Sequence, residues 1–116
     1  MKKEELITVE KKWGEEIWLV NNDLYCAKLL CLEENWECSY HCHPKKQETF
    51  MCIEGYVTLN IEGKDYALYP FTRAKTIFPG EKHKFRGMTS AVILEVSSHH
   101  EDDDVIRFSE SRCLTS

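Results

Sequence analysis

Short runs of alternating apolar and polar residues, separated by turn residues, dominate the pattern of this chain. The clearest run is 56–61, in which Val57, Leu59 and Ile61 alternate with polar residues. A period of two predicts half-buried β-strands, and no stretch sustains the 3.6-residue period of a helix. The predicted strands are 13–20, 24–32, 36–43, 48–54, 56–61, 65–69, 75–78, 83–87 and 91–97.

The spacing of these strands predicts the fold class. Short strands that recur about every 8 to 12 residues, with Gly, Pro, Asn and Asp between them, indicate an all-β sandwich or barrel. A jelly-roll β-barrel with little helix fits this arrangement, and any helix is expected near the termini. The 116 residues predict one domain. Its expected parts are an N-terminal arm or short edge element at 1–12, the barrel at 13–108 and a C-terminal tail at 109–116.

Composition narrows the classes of partner. The net charge is −5 and the Lys and Arg residues are scattered, so the electrostatic footprint of a nucleic-acid-binding protein is missing. No apolar run has the length of a membrane span, and the charged start leads into no apolar stretch of the signal-peptide kind. We therefore expect a cytoplasmic protein with small-molecule ligands. Its six cysteines show no CxxC pairing and are predicted to be reduced and structural.

Three histidines and one glutamate have the spacing of a metal site. Residues i and i+2 of an extended strand point to the same face, so His41 and His43 direct both rings to one point. Glu48 begins the next strand, and the Pro79-Gly80 turn lets His83 reach the same face from a distant strand. Imidazole and carboxylate ligands suit Mn, Fe, Co, Ni or Zn, and four protein ligands leave coordination positions open.

Two charged residues lie within otherwise apolar strands. Lys28 either extends its ammonium to solvent from an outer strand or has a role in the site. Glu95 shares strand parity with Ala91, Ile93 and Ser97, so it either faces a polar barrel interior or forms a buried ion pair. We expect the interior position, near the metal site.

The segment after the last strand is acidic and contains two adjacent histidines, His99 and His100. One interpretation is a solvated loop. The other is a lip over the barrel mouth, with Arg107 pairing an acidic residue or contacting a ligand.

The motifs resemble those of the cupin superfamily. The first motif runs from His41 through Glu48 to Gly55, and the second runs from Pro79 to His83. Within the cupins, the chain is similar to the D-lyxose isomerases and the cupin-type sugar-phosphate isomerases. The matching stretches are Tyr25-Cys26-Ala27-Lys28, His41-x-His43-Pro44, Lys46-x-Glu48-Thr49-Phe50, Gly55-x-Val57, Pro79-Gly80-Glu81 with His83, and Glu95-Val96-Ser97-Ser98.

This resemblance implies a function and roles for named residues. It implies a divalent-metal-dependent aldose-ketose isomerase that acts on a sugar or sugar phosphate. His41, His43, Glu48 and His83 would bind the metal, Lys28 would contact a sugar oxygen, and Glu95 would be the acid/base. A homodimer is expected by analogy with other cupins.

Two other functions fit the same residues. An Fe(II) cupin dioxygenase would use the same four ligands and would lose activity without oxygen. A non-catalytic cupin that binds a sugar or another small metabolite would show altered affinity, but no turnover, when Lys28 or Glu95 is replaced.

Overall fold

The computed structural model describes residues 1–115, which form thirteen β-strands and no helix. The strands are β1 (Ile7–Lys11), β2 (Gly14–Asn21), β3 (Cys26–Leu32), β4 (Trp36–Glu37), β5 (His41–Cys42), β6 (Glu48–Glu54), β7 (Val57–Ile61), β8 (Lys64–Leu68), β9 (Lys75–Ile77), β10 (His83–Gly87), β11 (Ala91–Ser97), β12 (Ile106–Arg107) and β13 (Arg112–Cys113). The all-β prediction is confirmed. None of the residues described belongs to a helix that could span a membrane.

The strands form two antiparallel sheets. The first has the order β1-β2-β3-β11-β6-β9. In the second the order is β12-β5-β10-β4-β13, with β7 paired to both β10 and β8. Among residues 1–115 the hydrogen bonds do not join the two sheets into one closed barrel, so the jelly roll consists of two sheets whose inner faces meet.

The ends of the chain add strands to these sheets. The segment 1–12 contains β1, which forms the edge of the first sheet by pairing with β2. The segment 109–116 contains β13, which pairs with β4 in the second sheet. Residue 116 of the predicted tail lies outside the described residues.

An apolar core fills one part of the space between the sheets. Leu30, Phe50 and Ile93 enter it from the first sheet, and Leu59 and Phe85 enter it from the second. The rings of Phe50 and Phe85 meet edge to face with centroids 6.4 Å apart. This core holds the inner faces together and leaves a polar region beside it for the site.

The prediction of one continuous strand at 36–43 is wrong, because the structure has two short strands there, β4 and β5. Both pair with β10, through Glu37 opposite Arg86 and His41 opposite His83. From Glu37 to His41 the chain advances four residues, whereas β10 advances only three between the two partners. The β4–β5 side therefore carries one extra residue, as in a β-bulge. The irregular segment 38–40 accommodates it, while His41 and His43 keep their i, i+2 relation.

Candidate metal centre

Three buried histidines converge at the polar end of the space between the sheets. His41 lies on β5 and is opposite His83 of β10, while His43 follows β5 directly. One ring nitrogen of each lies within 4.8 Å of those of the other two. The ring centroids of His41 and His83 are 4.4 Å apart, and those of His41 and His43 are 4.9 Å apart. These distances allow one ion to contact all three side chains.

Backbone carbonyls fix the tautomer of each of these rings. Every Nδ1 lies within hydrogen-bond distance of a carbonyl oxygen, which can only accept, so Nδ1 carries the proton and Nε2 offers its lone pair. The carbonyl partners of His41, His43 and His83 are Ser39 at 2.6 Å, Asp104 at 2.7 Å and Glu81 at 3.0 Å. Neutral rings held in this way are the form that binds a metal.

Glu48 brings a carboxylate from the first sheet to the same point. Its Oε2 lies 2.8 Å from Nε2 of His83, and its Oε1 lies 3.7 Å from Nε2 of His43. Both Oε2 of Glu48 and Nε2 of His83 are buried without a hydrogen-bond partner among the described residues. Two lone-pair atoms in such contact are stabilised by a shared cation, so these residues fit a divalent metal ion.

The protonation of the site agrees with this assignment. Burial, with a smaller effect of the neighbouring His83, lowers the pKa of His41 to about 3. Burial also lowers the pKa of His43. For Glu48, burial raises the pKa, but nearby positive charge, with the Lys46 ammonium 3.1 Å away, outweighs burial and leaves the pKa below its usual range. The rings of His41 and His43 are therefore neutral, and the Glu48 carboxylate is charged, near neutral pH.

Sequence reasoning missed the role of Lys46, which is 3% exposed. Its Nζ lies 3.1 Å from Oε1 of Glu48, 3.2 Å from Oε2 of Glu95 and 3.1 Å from Nδ1 of His100. An ammonium group has three N–H donors, and each finds one acceptor here. Lys46 therefore links the proposed metal carboxylate to the second buried carboxylate.

A signal for Lys46 was present in the sequence. It stands two residues before Glu48, the same spacing as between His41 and His43, but the strands predicted at 36–43 and 48–54 leave 44–47 as a connecting loop. The structure draws this segment inward because the buried Asp104 carboxylate accepts hydrogen bonds from the backbone N–H groups of Lys45 (2.9 Å) and Lys46 (3.0 Å). This anchor comes from a residue 58 positions away.

Glu95 lies in the interior and also forms a buried ion pair. It is 4% exposed and contacts Lys46. Burial raises its pKa, and the nearby Glu48 raises it further. Burial lowers the pKa of Lys46, but Glu95 and Glu48 outweigh burial and leave the pKa raised overall. Glu95 is thus more basic than an ordinary carboxylate. Lys46 contacts both Glu95 and Glu48 and so connects the two.

Lys28 is fully buried, so the solvent-reaching alternative is wrong. It is 2% exposed and lies opposite Glu95 in the register between β3 and β11. Its Nζ is 3.4 Å from Oε1 of Glu16 and 4.3 Å from the centroid of the Trp18 ring. The carboxylate and the indole ring together stabilise the buried charge. The lysine therefore lies beside the site with its ammonium held in place.

The segment after β11 forms a lip at the opening. His99 and His100 are tied to the loop after β2, through the Asn22 carbonyl and the Asn21 side chain. Arg107 donates to the Ser39 hydroxyl at 2.7 Å and makes no acidic pair among the contacts described. The solvated-loop interpretation therefore holds for Asp102 and Asp103, which are exposed, but not for the buried Asp104 or for His100, which lines the cavity.

A cavity of about 670 Å³ opens over these groups. Its lining includes three of the four candidate ligands, both lysines, two further glutamates and three other polar or aromatic residues: His41, His43, Glu48, Lys28, Lys46, Glu16, Glu95, Trp18, His100 and Arg107. His83 is outside this lining but contacts Glu48, which is part of it. The predicted site residues therefore lie in the cavity wall or in direct contact with it. The cavity volume suits a small ligand of sugar size.

The chain has sequence relatives among sugar isomerases. It is 34% identical over 111 residues to the D-lyxose ketol-isomerase of Cohnella laeviribosi, a match covering 72% of this chain and 61% of the relative. It is 33% identical over 114 residues to the D-lyxose/D-mannose isomerase of Thermosediminibacter oceani, covering 75% and 63%. The chain thus spans less than two thirds of the length of these relatives.

Solved structures show the same fold. KdgF from Halomonas sp. superimposes with a TM-score of 0.75 at 15% identity, covering 86% of this chain and 90% of that one. At this identity the likeness concerns the fold alone. No protein-family model matches the chain. The two-sheet jelly roll and the sequence relatives together identify the chain as a cupin that resembles the D-lyxose isomerases.

Proposed function

We propose that this chain carries the active site of a divalent-metal-dependent sugar isomerase that interconverts an aldose and a ketose of the D-lyxose or D-mannose type. One observation carries the proposal: a cluster of three histidines and Glu48 lies beside a second, more basic carboxylate, Glu95, which lines the same cavity as His41, His43 and Glu48. The names of the sequence relatives support the substrate class.

His41, His43, His83 and Glu48 would hold the metal. A bound divalent ion acts as a Lewis acid that polarises the sugar carbonyl and makes the neighbouring C–H more acidic. The carbonyl-anchored Nδ1 atoms keep the three rings in the tautomer that leaves Nε2 free for this ion. The ion could be Mn, Fe, Co, Ni or Zn, since this donor set suits all of them.

Glu95 is proposed as the acid/base. Isomerisation moves one proton between adjacent carbons and one between their oxygens, and it consumes no external oxidant or reductant. Glu95 would take the proton from the carbon beside the carbonyl and return it to the neighbouring carbon. Its raised pKa suits both steps, because the base must bind the proton and then release it.

The two lysines would position the substrate and Glu95. Lys46 holds Oε2 of Glu95 at 3.2 Å and so fixes where the carboxylate points. Lys28 presents its ammonium beside the same cavity and would donate to a sugar oxygen. Glu16 and Trp18 keep that ammonium in place.

Proton exchange with solvent tests the activity directly. The metal-loaded protein is incubated in deuterated water with pentoses, hexoses and their phosphates, and we expect carbon-bound deuterium in at least one sugar, with and without oxygen. Glu95→Gln should reduce incorporation by at least about 100-fold, while Glu54→Gln, a change at an exposed carboxylate, should leave it unchanged. No incorporation with any of the five metals would refute an isomerase, and turnover that requires oxygen would indicate a dioxygenase.

Metal analysis tests the ligand assignment separately. His41→Ala and His83→Ala should each abolish stoichiometric metal uptake, because each removes one of three buried imidazoles. His99→Ala, a change outside the cluster, should retain the metal. Full metal stoichiometry in both cluster variants would place the ion elsewhere.

A cytoplasmic location and a homodimeric state also belong to the proposal.

A further inference from the structure

The chain has five histidines, and His100 differs from the rest in its hydrogen bonds. In the rest, Nδ1 faces a backbone carbonyl oxygen, which can only accept, so Nδ1 carries the proton. These are His41, His43, His83 and His99. The Nδ1 of His100 instead lies 3.1 Å from Nζ of Lys46. An ammonium group can only donate, so this Nδ1 is unprotonated and accepts the hydrogen bond.

The other ring nitrogen of His100 faces a carboxylate. Nε2 lies 2.9 Å from Oδ1 of Asp102. Because Nδ1 is the acceptor, the single proton of the neutral ring is on Nε2, which donates it to Asp102. The Asp102 side chain is 88% exposed, whereas that of His100 is 13% exposed. Asp102 therefore fixes the tautomer of His100 from the solvent side and leaves the lone pair of Nδ1 directed at Lys46.

Two residues of β2 hold His100 in place. The Asn21 side chain accepts a hydrogen bond from the His100 backbone N–H at 2.9 Å and donates one to its carbonyl oxygen at 3.0 Å. The Trp18 ring meets the imidazole edge to face, with ring centroids 5.2 Å apart. These contacts restrain both the backbone and the ring, so the position of His100 is set by the first sheet.

This position matters for Lys46, because the buried ammonium has three donors to satisfy. Glu48 and Glu95 accept from it, and His100 accepts the third hydrogen bond. Without His100, one N–H of a buried charge would lack a partner. Another carboxylate could accept it, but it would add a third negative charge beside Glu48 and Glu95. A neutral imidazole satisfies Lys46 without that repulsion.

We infer that His100 is a positioning residue for the acid/base, because it fixes Lys46 and Lys46 fixes the direction of the Glu95 carboxylate. The inference rests on the proposed function, since it concerns the step in which Glu95 moves the carbon-bound proton. Lys46 binds Oε2 of Glu95 at 3.2 Å, so Oε1 is the oxygen that would take this proton. Proton transfer depends on distance and alignment, so a displaced carboxylate slows this step more than it weakens substrate binding.

Steady-state kinetics of His100 variants test this role. His100→Leu removes the acceptor and should lower kcat at least about tenfold, while KM changes by less than about threefold. His100→Asn places an amide oxygen near the former Nδ1 and should restore kcat to within about threefold of the unchanged protein. His99→Leu is the matched control and should keep kcat, because His99 bonds to the Asn22 carbonyl and is outside the cavity lining.

Asp102→Ala is a second variant that spares the fold, since the Asp102 side chain is 88% exposed. It removes the acceptor for Nε2–H of His100 and should lower kcat at least about threefold, again without a matching rise in KM. Asp103→Ala, at the neighbouring exposed carboxylate, should leave kcat unchanged.

Nitrogen-15 NMR measures the hydrogen bonds of His100 without any turnover. In the full-length protein labelled with nitrogen-15 histidine, at about pH 8, we expect one ring with a protonated Nε2 and a protonated Nδ1 in all the others. Asp102→Ala should shift that one ring, His100, toward a mixture of the two tautomers and leave the others unchanged.

Several results would overturn the inference. A protonated Nδ1 in every ring would mean that His100 does not accept from Lys46. An unchanged kcat in both His100→Leu and Asp102→Ala would exclude a positioning role, and a raised KM at unchanged kcat would make His100 a substrate contact instead. No turnover in the unchanged protein would refute the proposed isomerase and, with it, the role at Glu95. The NMR pattern keeps the two failures apart, because it reports the contact between His100 and Lys46 in either case.

Discussion

Lys46 connects the two carboxylates of the cavity through one ammonium group. Glu48 would be committed to the metal, whereas Glu95 has a raised pKa and no metal-ligand partner of its own. A carboxylate that binds a metal is a poor base, so a separate base requires a second carboxylate nearby. Lys46 allows both to be buried together, because its charge offsets part of their mutual repulsion.

Replacing Lys46 should therefore affect stability as well as chemistry. Lys46→Met leaves Glu48 and Glu95 buried without their shared partner, and we expect a loss of about 3 to 5 kcal/mol in the free energy of unfolding. Lys45→Met is the control: the Lys45 side chain is 75% exposed, so its effect should stay within about 0.5 kcal/mol. Urea unfolding in the presence of a chelator measures both, and equal stability of the two variants would contradict the prediction.

At the scale of single elements, the turns decide which residues meet. Gly55 ends β6 with a φ of 78°, and Asn35 adopts a φ of 66° before β4. The Glu62-Gly63 turn joins β7 and β8 with φ values of 51° and 83°. Positive φ at both central residues twists a two-residue hairpin in the direction that its strands require. The backbone N–H of Asn35 also donates to the Gly87 carbonyl oxygen at 2.8 Å, which ties the Asn35 turn to the end of β10, the strand that carries His83.

The two glycines differ in what surrounds them. A Cβ at Gly55 would collide with the Ser90 carbonyl oxygen and lie 2.9 Å from Cα of Ala91, whereas one at Gly63 would meet nothing within 4 Å. Gly63→Ala should cost only the positive-φ penalty of about 1 kcal/mol. Gly55→Ala should cost at least about 2 kcal/mol more, because backbone must move. Equal thermal unfolding of the two variants would show that the Gly55 turn relaxes freely.

At the scale of the whole molecule, the cavity gathers more negative than positive charge. Glu16, Glu48 and Glu95 face Lys28 and Lys46, which leaves one negative charge in excess when all five are ionised. A divalent cation reverses this balance, so metal binding should stabilise the fold as well as supply chemistry.

The buried histidines should make the metal-free protein sensitive to acid. Burial lowers the pKa of His41 to about 3 and that of His100 to about 4, and it also lowers that of His43. Below about pH 6.5 the unfolded chain then binds more protons than the folded protein does. The free energy of unfolding therefore falls as pH falls. Each histidine contributes at most about 1.4 kcal/mol per pH unit, and the raised pKa of Glu95 offsets part of the total.

Urea unfolding with a chelator at pH 7, 6 and 5 measures this dependence. His100→Gln keeps an acceptor for Lys46 and should lower the slope by the share of one histidine. An unfolding free energy that is unchanged between pH 7 and pH 5 would contradict the expected proton uptake.

The sequence alone determined the parts of this protein that depend on local period and spacing. The alternation of apolar residues predicted β6, β10 and β11 with their correct bounds, and the i, i+2 spacing of His41 and His43 predicted that their rings would meet. Strand parity placed Glu95 in the interior. Each of these features is fixed by the geometry of a few neighbouring residues.

Only the tertiary structure decided which charges share the cavity. Lys46 is drawn inward by Asp104, Lys28 is held by Glu16 across two strands, and the extra residue between β4 and β5 appears only against β10. A buried ion pair depends on partners that are far apart in the chain, and a local sequence pattern cannot predict such partners. The clustering of His41, His43 and His83 can thus be predicted from spacing, whereas the charged groups around them require the fold.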